Sequence, residues 1–294
     1  MDIKNWITNN THSLKGKNIA ITGSTGGLGK EICKYLAELE ANLILMDRNE
    51  NKSFEHKKEL LSSFPNIKVS CININLEDIK SVKLATDKVI EENIDIFIHN
   101  AGAYSIPRHK CDTGYDNIYQ INFASPYYII NELLPILRKN RGRVIIVGSI
   151  AHALTKINEK DIDFSCVKSP EMVYGNSKRF LMFSLYELFK KEKEVKLAVT
   201  HPGITLTNIT SNYPKIISEI IKYPMKLLFI SPSVAALSVI AGVFEDLKYK
   251  WWIGPKVLNI WGAPSKKELK NCSNNESKTI SKIAEGVYKN FKTI

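Results

Sequence analysis

The chain has 294 residues, 44% of them hydrophobic, enough to bury one sizeable core and short enough to form one large domain. Its 41 basic and 30 acidic side chains leave a formal charge of +11, but the lysines are spread along the sequence without zinc-finger spacing, an aromatic RNA-binding motif or a basic heptad helix, so no nucleic-acid partner is expected. Five scattered cysteines without a C-x-x-C pair argue against a disulfide framework and a zinc site, and the absence of a signal-peptide run or of about 18 uninterrupted apolar residues makes a cytoplasmic location the expectation.

In chain order, the apolar pattern predicts a strand at 18–22 ("NIAIT"), a helix at about 27–39, a strand at 42–46 ("NLILM"), a helix near 55–63 and a strand at 67–74 ("IKVSCINI"). It continues with a helix near 77–91, a strand at 94–100 ("IDIFIHN"), a long helical stretch around 115–139, a strand at 143–148 ("RVIIVG"), a helix at about 172–192 and a strand at 195–200 ("VKLAVT"). A helix near 231–245 and a last strand around 249–254 ("YKWWIG") follow. Such alternation predicts βαβ crossovers and hence an α/β fold, a doubly wound parallel sheet of the Rossmann type, as a single domain over 1–294. Runs such as "VIIV" lack polar alternation, as strands covered on both faces should. Residues 204–230 change character, with tyrosines, prolines, Met225 and Phe229 among isoleucines and lysines, and 263–294 read as a polar C-terminal tail in which 277–290 are predicted helical.

Directly after the first predicted strand stands "TGSTGGLGK", leading into an apolar-periodic helix. Glycines at such a junction let the backbone turn sharply and approach a pyrophosphate, while the helix aims its unpaired N–H groups and positive dipole end at the anion. The spacing fits T-G-x-x-x-G-x-G through Gly23, Gly27 and Gly29, and equally T-G-x-x-G-x-x-G through Gly26. At the end of the second strand, Asp47 would hydrogen-bond adenosine ribose hydroxyls, whereas Arg48 could hold a 2′-phosphate. The two pull opposite ways; the carboxylate tips the expectation slightly towards NAD, with NADP left open by Arg48.

The strand "RVIIVG" ends at Ser149, whose hydroxyl would face the ligand cleft beyond the carboxyl ends of the sheet. Tyr174 and Lys178, four residues apart, share one helix face. A free phenol titrates near pH ~10 and is a poor acid or base at neutrality, but a neighbouring cation favours its ionised form.

Together with "HNAG" (99–102), Asn122 in "YQINFASP", "VIIVGSIAH", "YGNSK" (174–178) and "HPGITLT" (201–207), these residues resemble the short-chain dehydrogenase/reductase family over about Lys17 to Gly262, closest to its retinol-dehydrogenase-like and WW-domain-oxidoreductase-like branch. The resemblance implies a catalytic set of Asn122, Ser149, Tyr174 and Lys178. In it, Ser149 hydrogen-bonds the substrate oxygen, Tyr174 exchanges a proton with it, Lys178 lowers the tyrosine's pKa and holds the nicotinamide ribose, and Asn122 supports a water leading to the lysine. It implies an NAD(P)(H) cofactor touched by Thr22, Gly23, Thr25, Gly26, Gly27, Leu28 and Gly29, by Asp47 and Arg48, and by Asn75 and Leu76. Asn100, Ala101 and Gly102 would line its middle, with Pro202, Gly203, Ile204 and Thr207 against the nicotinamide end. His99 and Asn75 depart from the family pattern, which more often has asparagine and aspartate there.

The function implied is hydride transfer between the dinucleotide and a carbonyl or alcohol, with a non-catalytic dinucleotide-binding sensor or scaffold as the alternative. In this family 204–230 would form the substrate flap, and its apolar content points to a retinoid, steroid or other lipid-like small molecule. Lysines beside that apolar face would suit peripheral contact with a membrane. Homo-oligomerisation is left open, and His152 and His201 are read as structural.

Overall fold

The unbroken valine and isoleucine runs form the centre of one eight-stranded sheet in the computed structural model, which describes residues 2–204 and 230–294. The strands are β1 (Asn18–Thr22), β2 (Asn42–Asp47), β3 (Val69–Asn73), β4 (Ile96–His99), β5 (Arg143–Val147), β6 (Lys196–Thr200), β7 (Trp251–Val257) and β8 (Trp261–Glu268). Their spatial order is β3-β2-β1-β4-β5-β6-β7-β8, parallel throughout except that β8 runs antiparallel to β7. The sequence order reverses between β1 and β4, and beyond the carboxyl ends at such a point doubly wound sheets take ligands.

Side chains alternate across the sheet into two cores. On one face Ala20, Ile44, Val144, Ile146 and Val199 meet the helices α4 (Ile79–Glu91), α6 (Ser125–Lys139), α7 (Pro170–Phe189) and α9 (Asn274–Thr293). On the other, Ile19, Ile21, Leu43, Leu45, Ile145 and Ala198 pack under α2 (Gly27–Glu38) and α8 (Pro232–Phe244). Among the described residues no helix is long and apolar enough to cross a membrane.

Four departures from the sequence expectation have local causes. An unexpected first helix, α1 (Ile3–Asn10), is capped by Asp2, and Ile3, Trp6 and Ile7 rest on the second core. Helix α3 (Glu50–Ser63) starts ahead of the expected 55 because Asn49 accepts a hydrogen bond from the Lys52 amide at 2.9 Å. The long helix expected around 115–139 is broken into the short α5 (Asn117–Tyr119), a π-helical turn at Gln120–Ala124 and α6. Beyond β7 the chain folds back as β8, inside the stretch read as polar tail, before entering α9.

That last helix is part of the core: Ile280, Ala284, Val287 and Phe291 are buried against the face formed by α6 and α7. Truncating Phe291, which is 0% exposed, to alanine removes an aromatic ring from a filled site. Phe291→Ala is expected to lower unfolding free energy by about 3–5 kcal/mol, read from the midpoint of urea denaturation. A loss of only a few tenths would mean that α9 contributes little to the fold.

Candidate active site

The glycine-rich end of the candidate site is built around a helix that approaches the sheet more closely than any side chain would permit. A Cβ on Gly29 would lie 2.1 Å from the Gly23 carbonyl oxygen and 2.9 Å from the Ser24 Cα, so only glycine lets α2 start there. Gly26 is the N-cap of α2, and a Cβ on Gly27 would meet nothing within 4 Å. Gly23, at φ 69° and with a Cβ that would meet the Ala101 Cα at 2.9 Å, and Gly29 are the positions both glycine spacings share, while a Cβ on Gly26 would make only an ordinary 3.6 Å contact with the Gly23 carbonyl oxygen. Leu28 points the other way, into the core under α2.

Thr22 ties this end to the next strand. Its hydroxyl accepts the amides of Asn100 (3.2 Å) and Ala101 (3.1 Å), so its own proton goes to His99 Nδ1 at 3.0 Å. Asn100 returns two bonds, from Nδ2 to the carbonyls of Thr22 (3.2 Å) and Gly23 (2.9 Å). His99 therefore carries its proton on Nε2; burial, with the Lys178 charge nearby, holds its pKa well below the ordinary range.

Asp47 does not present a free carboxylate to a ribose. Its Oδ1 accepts the Thr25 amide and hydroxyl, both at 3.1 Å, and its Oδ2 accepts the hydroxyls of Ser24 and Ser53, the latter at 3.2 Å. Four donors fill all the acceptor sites a carboxylate has, and the residue is buried. It latches the glycine-rich loop to β2 and α3. Arg48, by contrast, is 74% exposed, with Glu77 3.9 Å away as a loose partner. Asn75 is turned into its own loop, accepting the Glu77 amide at 3.2 Å, and the Leu76 carbonyl takes bonds from Ser125 (2.6 Å) and Gln120 (3.3 Å).

At the chemical end, α7 lies against the short turn that follows β5. A Cβ on Gly175 would sit 2.5 Å from the Ala151 carbonyl oxygen, so the glycine after Tyr174 allows the approach that brings Tyr174 to Ser149. The Ser149 hydroxyl stands close enough to the Tyr174 phenol to favour its ionised form. Ser149 also caps its turn, its Oγ accepting the Ala151 amide at 3.2 Å. The Lys178 ammonium lies 5.7 Å from the Tyr174 ring centre and donates to the Val147 carbonyl at 2.9 Å. Asn122, in the π-helical turn, clasps Ala103 with two 2.8 Å bonds, accepting its amide and donating to its carbonyl, and also donates to Ser177 Oγ at 3.1 Å. A π-turn commonly marks a functional position, because it re-aims one side chain out of helical register. A Cβ on Gly102 would meet Asn122 Oδ1 at 3.1 Å and Lys178 Nζ at 3.5 Å, so this glycine lets Asn122 and Lys178 come together.

The electrostatics differ from the sequence expectation in one respect. Burial pushes the Tyr174 phenol up to about 12, partly offset by the Ser149 hydroxyl, and burial pulls Lys178 down to about 8. Desolvation outweighs the cation's influence on the phenol, because the ammonium sits over the ring rather than against its oxygen. Pro202, Gly203 and Ile204 follow β6 at the same end of the sheet. Thr207 and the expected flap at 204–230 lie outside the described residues, apart from Ile204 and Ile230, whose backbones are joined by a 3.0 Å bond. Sequence reasoning missed Tyr104, whose ring meets Tyr174 edge-on at 5.2 Å and whose hydroxyl donates to Glu171 at 3.0 Å; a tyrosine two residues beyond "NAG" was the available signal.

The chain's sequence matches the family model described as short chain dehydrogenase over residues 17–216. It is 28% identical to Short-chain dehydrogenase TIC 32 A, chloroplastic, of Brassica napus, over 68% of this chain and 68% of that protein. It is likewise 28% identical to Retinol dehydrogenase 13 of Mus musculus, over 80% and 74% of the two chains. Among solved structures, an uncharacterised protein from Mycobacterium Paratuberculosis superposes with a TM-score of 0.79 at 22% identity, covering 97% of both chains. The Pseudomonas aeruginosa RhlG/NADP active-site complex does so at 0.61 and 23%, covering 79% of this chain and 91% of the other.

The buried ammonium makes stability depend on pH. Lys178 binds its proton less tightly in the folded chain than in the unfolded one, so its contribution is most favourable above pH 10.5 and is lost as pH falls towards about 8. Measured against Lys178→Met by urea denaturation, the wild type should gain roughly 2 kcal/mol of relative stability between pH 7 and pH 10. A pH-independent difference would mean that the ammonium is solvated.

Proposed function

Because the chain belongs to the short chain dehydrogenase family, we propose that it is an oxidoreductase interconverting a carbonyl and its alcohol on an apolar, retinoid-, steroid- or lipid-like substrate. The observation that carries the reading is the convergence of Ser149 and the Lys178 ammonium on Tyr174 beyond the carboxyl ends of the sheet, Ser149 beside the phenol and the ammonium 5.7 Å from its ring centre. The apolar substrate is supported by the composition of 204–230 and by the name of the retinol dehydrogenase relative.

The residues fit a nicotinamide dinucleotide: Gly26 and Gly27 leave the start of α2 open to a pyrophosphate, and Lys178 has two N–H donors beyond the one given to Val147. Thr22 to Gly29, Asn100 to Gly102, Tyr174, Lys178 and Pro202 to Ile204 would hold it, and it would supply or accept the hydride. The sequence lean towards NAD rested on Asp47. With that carboxylate filled by Ser24, Thr25 and Ser53 and the Arg48 guanidinium exposed beside it, we favour NADP(H).

A phenol whose pKa is raised to about 12 keeps its proton at neutral pH and can give it to a carbonyl oxygen that is gaining negative charge. Ser149, beside the phenol, would donate to the same oxygen and fix its position. Alcohol oxidation needs the phenolate, which burial opposes, so the side chains favour reduction. Asn122 holds the Ala103 backbone and so sets the wall of the site beside Lys178.

With all-trans-retinal as the probe and NADPH as reductant, Tyr174→Phe is expected to lower turnover by about 10²–10⁴-fold while NADPH affinity, read by fluorescence titration, changes less than about threefold. Unchanged turnover would overturn the catalytic assignment. Arg48→Ala should weaken NADPH binding by about tenfold, the loss of one charge-assisted contact, and leave NADH binding nearly unchanged. Equal effects on the two would overturn the NADP(H) preference.

A further inference from the structure

Arg179, the residue after Lys178, is 1% exposed although it carries a permanent charge. Its Nε and Nη2 grip the Glu276 carboxylate at 2.8 and 2.6 Å, its Nη1 donates to the His152 carbonyl at 3.0 Å, and Nη2 also reaches the Asn271 carbonyl at 2.8 Å. The Glu276 Oε1 accepts the Ile157 amide at 3.2 Å as well. One guanidinium thus joins α7, the turn after Ser149, the loop beyond it and the start of α9.

His152 extends the same assembly to Ser149 itself. The Ser149 carbonyl accepts both the His152 amide (3.2 Å) and its ring Nδ1, so the ring proton is on Nδ1 and Nε2 is an acceptor. Asn271 Nδ2 fills that acceptor at 2.8 Å. The buried imidazole is a strut between the backbone of Ser149 and a side chain far along the sequence.

We propose that the segment Asn271–Glu276, acting through His152 and Arg179, is a positioning device that sets Ser149 against Tyr174. A buried ion pair adds little net stability over apolar residues of the same volume, so its clearest use is geometric. Both partners of the hydroxyl pair, one on the turn and one on α7, are referred to the same six residues. The proposal rests on the oxidoreductase reading for its catalytic consequence, and its geometric content stands apart from that reading.

The test uses full-length Glu276→Gln and Asn271→Ala, the second removing only the amide that meets His152. Hydrogen exchange read by mass spectrometry should rise at least about tenfold in 149–157 in both variants and stay unchanged in 22–30. With retinal and saturating NADPH, kcat should fall by about 10–100-fold, as a displacement of up to an ångström would cause, with KM and the NADPH Kd within about twofold. Replacing Glu276 by Asp, which keeps the charge, should restore part of kcat. Unchanged exchange in 149–157, or a parallel loss of kcat, KM and melting temperature in both variants, overturns the proposal. If the wild type reduces no retinal, the oxidoreductase reading is what fails, and the exchange pattern alone decides this one.

Discussion

Where parallel strands end, their last peptide groups lose ladder partners while still buried, and every polar atom there needs another partner. The candidate site is assembled from the answers to that demand. Thr22 takes up the amides beyond β4, Asn100 returns bonds to the loop beyond β1, Lys178 meets the carbonyl at the end of β5, and Asp47 gathers four donors around the end of β2. The side chains that organise the crevice are the same ones that satisfy the sheet. Binding geometry and folding are therefore coupled, and few of these residues can be changed for one purpose alone.

Charge at this rim is held against the preference of a dry environment. Burial pulls the Lys178 ammonium down to about 8, keeps the His99 imidazole neutral and pushes the Tyr174 phenol up to about 12. Removing water makes each group costlier to ionise and also makes its field stronger once a ligand arrives.

What could be read from the sequence was what local chemistry dictates. The strands were legible in their unbroken apolar runs, the glycine-rich turn in its place between a strand and a helix, and Tyr174 with Lys178 in their spacing of four. The use of Asp47 was not legible, because its partners Ser24, Thr25 and Ser53 come from other elements, and a carboxylate at a strand end reads alike whether it faces a ribose or a hydroxyl. The π-helical turn around Asn122 was hidden for a different reason: one added residue barely disturbs the apolar period. The expected helix at 277–290 began too late: the chain enters α9 at Asn274, with Ser273 as its cap accepting the Glu276 amide at 3.1 Å. Nothing local revealed that the same carboxylate would reach Arg179, 97 positions earlier.

The antiparallel turn-back at the end of the sheet has a consequence for how molecules of this protein meet. A parallel sheet that stopped at β7 would offer a long row of unpaired backbone groups to any neighbouring chain. Instead the outermost strand carries Pro264, which has no N–H to give, and Lys266, whose ammonium is paired with Glu245. The β8 border is thereby a poor template for fibre-like stacking, which leaves β3, at the far side, as the edge where a neighbouring strand could add.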